Sequence, residues 1–588
     1  MRFETWYCFR CPLRITMQVR VLLMFVYFAG VANAATSYLQ NADFESGNFN
    51  GNWYAMGCQM TQSNDAYQGH HSVHMSNRNQ NWNGLGQNVN LHAGSRYKTT
   101  AYVKLLNTAN NKPYQSVSMM LNCKDSHGAD VYKQFGVTQN VQPGQWCEIG
   151  GVLHTNNGYH TCHIYVQTDA HTDYLVDSAS MVLVPYDTNW KTKANQRIEK
   201  FRKANINIKL TGNVIDTTSV DIELKQTKME FAFGSAVSAT KIVDHSLSAY
   251  QKTFYDNFEW GVLENALKWR QMEHTKGHIN YDRPLNAIKA MRSHGIKMRC
   301  HCAFWDKDEY TQDWVKALHG AAVRNAISTR IQEITSHTRG MCKQWDVNNE
   351  MLHGGTYERL SGDPNITMDM FRQMHAADRQ PLLFLNEYSV ISASESTVAH
   401  KDTAMRYKKA GVPIGGLGVQ GHMHNIDIDV IKAELDILAE AGLPIMITEL
   451  GINDKNENSR ATKLVDLLTL FFSHPSVEGV LFWGFWDGQI WEKDAPLFTG
   501  PNLTPNAAGR AYQNLFHNVW RTSETHTIHG HQQLHVRGFK GKYTLNVKHN
   551  GHVLQTETFT LADGGKTLSV HISGHSGGTP SVSGVIVG

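Results

Sequence analysis

The chain has 588 residues, 41% of them apolar, which is too long for one core and enough to fill about three or four domains. Charged residues make up 18% with a formal net charge of +3 and no block of one sign, which argues against a disordered chain and against a nucleic-acid surface. The 14 Trp and 22 Tyr supply flat stacking area that serves a core or a flat-faced ligand equally well.

At the N-terminus Arg20 precedes the apolar run Val21–Ala32 and the small-x-small site Ala32-Asn-Ala34. This pattern predicts a signal peptide over residues 1–34, too short in its apolar part to favour a spanning helix. The long segment before it means either that translation starts at Met17 or that the segment is a short signal anchor. Export to the extracellular space is expected, with no membrane association after cleavage. Cys8 and Cys11 would leave with the signal. Cys58, Cys123, Cys147 and Cys162 form an even set that predicts one or two disulfides, with three full pairings open. Cys300, Cys302 and Cys342 are odd in number, so at least one is expected as a buried thiol. The sequons at Asn365 and Asn502 suit an exported chain.

Residues 35–186 show short alternating runs, among them Tyr97–Leu106, Gln115–Leu121 and Ile164–Gln167, separated by Gly, Asn and Asp turns. They predict a β-sandwich of jelly-roll type. The opening Leu39-Gln-Asn-Ala-Asp-Phe-Glu-Ser-Gly47, with Trp53 and Gly57, resembles the carbohydrate-binding modules placed before many plant-wall hydrolases. That resemblance implies an aromatic platform, for which Trp53, Trp82, Tyr114 and Tyr132 are the candidates. A structural calcium ion would suit such a module, though no ligand set can be named.

Residues 187–225 read as a linker helix, Ala194–Arg202, and two strands leading onward, near Ile206–Thr211 and Ser219–Gln226. Over 226–520 eight apolar runs follow: Phe231–Gly234, Glu259–Leu263, Lys297–Ala303, Gln344–Val347, Pro381–Leu385, Gly416–Val419, Pro444–Ile447 and Val480–Phe482. Amphipathic helices such as Pro284–His294, Ile428–Ala441 and Ala461–Phe472 lie between them. Eight such alternations fit a (β/α)8 barrel. A doubly wound open sheet is the alternative, but no glycine-rich phosphate loop follows the first run. Residues 521–588 return to strands, with Asn550-Gly551 as a hairpin turn, and predict a small β-domain.

Two carboxylates stand where a barrel places its chemistry, at the C-terminal ends of strands. Gln344-Trp-Asp-Val-Asn-Asn-Glu350 closes the fourth run, and Pro444-Ile-Met-Ile-Thr-Glu449 closes the seventh. Paired carboxylates in one cleft fit glycoside hydrolysis, which needs a protonated acid at the leaving oxygen and a carboxylate on the opposite sugar face. From about Ala194 to Trp520 the chain resembles family 10 of the glycoside hydrolases, the endo-β-1,4-xylanase family. The resemblance rests on Phe231-Ala-Phe-Gly-Ser, Glu264-Asn-Ala-Leu-Lys-Trp269, Arg299-Cys-His-Cys-Ala-Phe-Trp305, Trp345-Asp-Val-Asn-Asn-Glu350, Leu385-Asn-Glu-Tyr388, Gln420-Gly-His422, Thr448-Glu-Leu450 and the pair Trp483 and Trp491, all in family order.

The resemblance implies a retaining hydrolase with Glu350 as acid/base and Glu449 as nucleophile, their carboxyls ~5–5.5 Å apart. It places Glu264, Asn265 and Lys268 on the non-reducing-side sugars, and His301 and Trp305 at the cleavage site. Asn349 would bond the sugar 2-hydroxyl, Tyr388 would line the cleft, Gln420 and His422 would flank the nucleophile, and Trp483 and Trp491 would form aromatic walls. Three positions depart from the family: Asp306 where many members have His, Glu387 where Asp is usual, and Gly451 where Asp follows the nucleophile. Asp306 is a change that would relax the pocket. Gly451 would cost His422 an anionic partner and alter the acid–base balance around Glu449.

The expected function is endo-acting hydrolysis of xylan by a monomer, with no cofactor. The alternatives are a β-1,4-endoglucanase or dual enzyme, and a sugar-binding protein without turnover. The histidine groups His70-His71, His422/His424 and His526, His529, His531 lack a supporting Cys or carboxylate pattern, so no metal is expected.

Overall fold

The structure, a computed structural model, describes residues 37–588 apart from Asn48 and Asn50. The signal-peptide reading of residues 1–34 lies outside the described residues. None of the described helices is long and apolar enough to cross a membrane.

The N-terminal module is two five-stranded antiparallel sheets. One runs Trp53–Ala55, Leu85–Val89, His160–Thr168, Gln115–Lys124, Asp130–Val141; the other runs Gln59–Ser63, Ser72–Ser76, Tyr174–Val184, Arg96–Leu105, Trp146–His154. Alternation along each strand turns residues such as Leu121, Ile149 and Ile164 into the space between the sheets. Cys123 and Cys162 form a disulfide between paired strands of the first sheet, while Cys58 and Cys147 are thiols. Arg78 is buried here, and its guanidinium donates to the carbonyls of Asn81, Asn83, Thr168, Asp169 and Thr172, so a buried cation ties its own loop to the segment 168–172.

All eight apolar runs of residues 226–520 are strands of one closed parallel barrel. Barrel strands 1 to 8 are Ala232–Val237, Trp260–Leu263, Lys297–Cys300, Cys342–Asp346, Leu382–Glu387, Gly416–Met423, Ile445–Ile452 and Val477–Phe482. Strand 1 pairs with strand 8 from Ala232 opposite Gly479 to Ser235 opposite Phe482, which closes the sheet and rules out the open doubly wound arrangement. Helices cover the outer face, so the strands are buried on both sides and read as near-continuous apolar runs. The helix Ile428–Ala439 begins where Asp427 accepts from the N–H groups of Asp429 and Val430, and Glu457–Ser473 where Asn456 does the same for Asn458 and Ser459. Cys300 and Cys342 form a disulfide joining strands 3 and 4, leaving Cys302 as a buried thiol.

The strands of 187–225 are not a linker. Lys203–Gly212 pairs with Gln533–Phe539 and Lys566–Ser576, and Ser219–Met229 pairs with Ser523–His529 and Gly541–His549. With His552–Leu561 and Thr579–Val587 they build two four-stranded sheets around Ile206, Ile208, Ile222, Leu224, Leu545 and Val570. The C-terminal β-domain is therefore a sandwich made from both ends of the catalytic region, with the barrel inserted between its second and third strands. Its Asn550-Gly551 hairpin has φ of 48° and 79°, the left-handed pair that a tight two-residue turn requires.

The N-terminal module docks on the barrel's outer helices. Val152 packs with Val398 and Ile437, Arg96 pairs with Asp427 at 2.5 Å, and Lys401, 2% exposed, lies 2.7 Å from Glu148 of the module and 2.8 Å from Glu440 of the barrel. A buried ammonium is stable only when paired in this way.

Candidate active site

Barrel strands 2 to 8 deliver the predicted site residues to one end of the barrel. Glu449 ends this convergence on strand 7. Its Oε1 accepts from Asn386 Nδ2 at 3.0 Å, and its Oε2 lies 3.3 Å from His422 Nε2. Burial alone would push the carboxyl up, but the His422 hydrogen bond and the charges of His301, His422 and Lys268 outweigh it and hold Glu449 below the ordinary carboxylate value.

Glu350 follows a short strand, Asn348–Asn349, and adopts the left-handed conformation at φ 60°, ψ 34°. A non-glycine residue there costs about 1–2 kcal/mol. The bond from Glu350 N–H to Asn386 O, 3.0 Å, and that from His353 N–H to Glu350 O, 3.1 Å, hold it in place. Its Oε1 accepts from Gln420 Nε2 at 2.9 Å and its Oε2 from Trp305 Nε1 at 2.8 Å. Burial, then the nearby Glu387 charge, push Glu350 above the ordinary value despite those two donors. The two carboxyls thus move in opposite directions, one toward the acid and one toward the carboxylate at the same pH.

The remaining candidates lie around this pair, with one correction: Gln420, expected beside the nucleophile, turns its amide to Glu350 instead. Lys268 donates to Asn265 Oδ1 at 3.0 Å and sits 4.3 Å over the Trp305 ring, while Gln489 Nε2 donates to Glu264 Oε2 at 3.2 Å. Trp483 packs in the barrel's inner cluster and edges His301 at 5.3 Å. Trp491 is 62% exposed and edges His422 at 4.8 Å. Tyr388 stacks on His353 at 3.8 Å and takes a hydrogen bond from Lys307 at 2.9 Å. Glu387 keeps the role of a buried anchor carboxylate, taking His353 Nδ1 at 2.7 Å and Leu352 N–H at 2.8 Å.

Two buried groups escaped the sequence reading. Asn386 joins the halves of the site: it donates to Asn349 Oδ1 at 2.8 Å as well as to Glu449, and accepts from Thr448 Oγ1 at 2.6 Å. Asp346 takes His301 Nδ1 at 2.9 Å and pairs with Arg299, so the other imidazole nitrogen is the one left for the cleft. Both stand inside motifs that were quoted, at strand ends pointing inward; that position was the available signal.

Two expectations change. Asp306 does not face the cleft: it is fully buried, accepts from Tyr357 N–H at 3.2 Å, and its carboxyl is pushed up by burial and by the neighbouring Glu358 charge. His422 does not lack a second anion. A Cβ on Gly451 would lie 2.2 Å from Glu492 Oε2, and that carboxylate oxygen is 3.9 Å from His422 Nδ1. Burial would lower His422, but Glu449 and Glu492 together raise it to about 9.

In the N-terminal module Trp53 is 5% exposed, donates to Asn41 O at 2.9 Å and belongs to the core, not to a platform. Tyr114 is used against the barrel, its hydroxyl donating to Gly355 O at 3.4 Å. Trp82 and Tyr132 remain exposed, at 54% and 61%. On the sheet carrying Tyr132, Tyr54 of the edge strand lies near His163 and Tyr165 two strands away, with ring centroids 6.4 Å apart for Tyr54–His163 and 5.7 Å for His163–Tyr165; of these Tyr165 is buried at 4%. Tyr54 and His163, both half-buried, lie outside the expected platform because alternation marks a strand's buried face and not which outward rings come together.

Residues 223–515 match the family model "Glycosyl hydrolase family 10". The chain belongs to that family. Residues 36–173 match the model "Carbohydrate binding domain", so the family 10 barrel follows a carbohydrate-binding module. Among curated proteins the chain is 29% identical over 517 residues to endo-1,4-beta-xylanase 3 of Arabidopsis thaliana, covering 85% of this chain and 66% of that protein. It is 34% identical over 399 residues to anti-sigma-I factor RsgI6 of Acetivibrio thermocellus, covering 67% of this chain and 51% of that protein. The chain thus spans about half to two thirds of these relatives. Xylanase 10B from Thermotoga petrophila RKU-1, solved in complex with xylobiose, aligns at a TM-score of 0.46 and 21% identity, over 49% of this chain and 95% of its own.

Proposed function

We propose that this family 10 chain is a retaining endo-β-1,4-xylanase, with Glu350 as acid/base and Glu449 as nucleophile. The observation that carries the reading is the opposite bias of the two carboxyls: hydrogen bonds from His422 and Asn386 reach Glu449, which is held below the ordinary carboxylate value, while burial and the Glu387 charge push Glu350 above it. In the first step a Glu449 oxygen attacks the anomeric carbon as the bond to the glycosidic oxygen breaks. Its electron pair leaves on that oxygen, which takes the Glu350 proton. In the second, water attacks the same carbon, Glu350 takes its proton, and Glu449 leaves as carboxylate. Asn349 has its Oδ1 occupied by Asn386, so its amide N–H is the part free to bond the sugar 2-hydroxyl. That bond tightens as the oxocarbenium-like state forms and acts mainly on rate.

Xylan is the substrate favoured by the xylanase relatives. The exposed Tyr132 and the half-buried Tyr54 on the same sheet offer the module ring surface for the same polymer. The leader-like residues 1–34 and two disulfides support export. The test is reducing-end release by the purified protein from xylan and from soluble β-1,4-glucan. Release from xylan above glucan is expected. No release from either would overturn the reading in favour of a sugar-binding protein without turnover.

A further inference from the structure

His422 on barrel strand 6 and Gly451 on strand 7 are register partners, so a side chain at 451 would stand beside the imidazole. That space is filled from elsewhere. Glu492, in the loop after strand 8, has a largely buried side chain whose Oε2 occupies the position a Cβ at 451 would crowd, 2.2 Å away. Glycine is required at 451 by this neighbour, since its φ is not among the positive ones. Glu492 Oε2 and His422 Nδ1 are both buried, have no hydrogen bond to any other group among the described residues, and face each other at 3.9 Å. The other imidazole nitrogen, Nε2, is on Glu449 at 3.3 Å.

We propose that Glu492 is a positioning residue acting through His422: from a different loop it supplies the carboxylate that Gly451 omits, keeping both imidazole nitrogens protonated so that Nε2–H stays on Glu449. The proposal rests on the reading of Glu449 as nucleophile for its catalytic meaning, but not for its test. The charged groups around His422 are Glu449 from strand 7, Glu492, and His424, whose Nε2 is 3.9 Å from Glu492 Oε1. Beyond Glu449 lie His301, Arg299 and Lys268. Only the two carboxylates offset the burial that opposes a cation at His422. Losing one removes an anion from a site with little solvent screening.

The sign follows from this. His422 is raised, so its cationic form, and the hold it exerts on Glu449, persist through neutral pH and fade only as pH rises through about 9. Without Glu492 that loss moves to lower pH. The experiment is NMR titration of the His422 ring in the intact protein without substrate. Glu492→Gln keeps the shape of the side chain and should lower the midpoint by at least about one pH unit. In the double variant Gly451→Asp/Glu492→Ala the carboxylate returns from strand 7 into the vacated space, and the midpoint should return with it. An unchanged midpoint in Glu492→Gln would overturn the proposal, as would a lowered midpoint that the double variant fails to restore. A thermal melt confirms that each variant is folded. Because no turnover is needed, inactivity on xylan would sink the functional reading without touching this result.

Discussion

Glu449→Ala is expected to lower kcat on xylan by at least about 10⁴-fold while leaving KM within a few-fold. In the proposed mechanism this side chain is the attacking group, and among the described residues it is the carboxylate that meets both Asn386 and His422 at hydrogen-bond distance. Sugar binding should survive, because the candidate binding groups Lys268, Asn349 and Trp483 draw on other strands for their support. The variant also carries an internal check. A small anion such as azide or formate can enter the space left by the carboxylate and attack the anomeric carbon. Activity on an aryl xyloside should then return, with a glycosyl product of inverted configuration. Wild-type rates in Glu449→Ala would remove the residue from the mechanism.

Glu350→Gln should lower kcat/KM on xylan by about 10²–10⁴-fold, since the leaving sugar oxygen needs a proton. With an aryl glycoside whose phenol leaves without help, the first step should be nearly intact and the second slow, giving a burst. The pH profile separates this from mere damage. Activity requires Glu449 ionised and Glu350 protonated, so the wild-type profile rises through a value below the ordinary carboxylate range and falls through one above it. Glu350→Gln should keep the acid limb and lose the alkaline one. An alkaline limb that persists would assign it to another group.

How much of this was legible beforehand depended on the range of the interactions. The barrel strands announced themselves because strands buried on both faces are short apolar runs, and all eight lay within a few residues of their expected positions. Lys203–Gly212 and Ser219–Met229 were recognised as strands, but their partners come more than 290 residues later, across the whole barrel. Alternation says that a strand has a buried face, not what covers it. Trp53 illustrates the same limit from the other side: its indole fills a core, while the adjacent Tyr54 takes the outer face.

Glu350 and Glu449 were legible because each closes a strand within an ordered motif. Glu492 was not, because a carboxylate one residue after Trp491 in a loop looks like any surface charge until the fold brings it beside Gly451. Gly451 alone implies that His422 loses an anionic partner; the fold supplies one from Glu492. Burial reversed the meaning of Asp306 in a similar way, turning a cleft substitution into an internal acid pair with Glu358.

Double displacement at the anomeric carbon is reported directly by proton NMR of the first product. Xylo-oligosaccharide hydrolysed by the native protein should release the β-anomer first, with the α-anomer growing in only as mutarotation proceeds. Initial appearance of the α-anomer would mean a single displacement by water and would contradict the assignment of Glu449 as nucleophile.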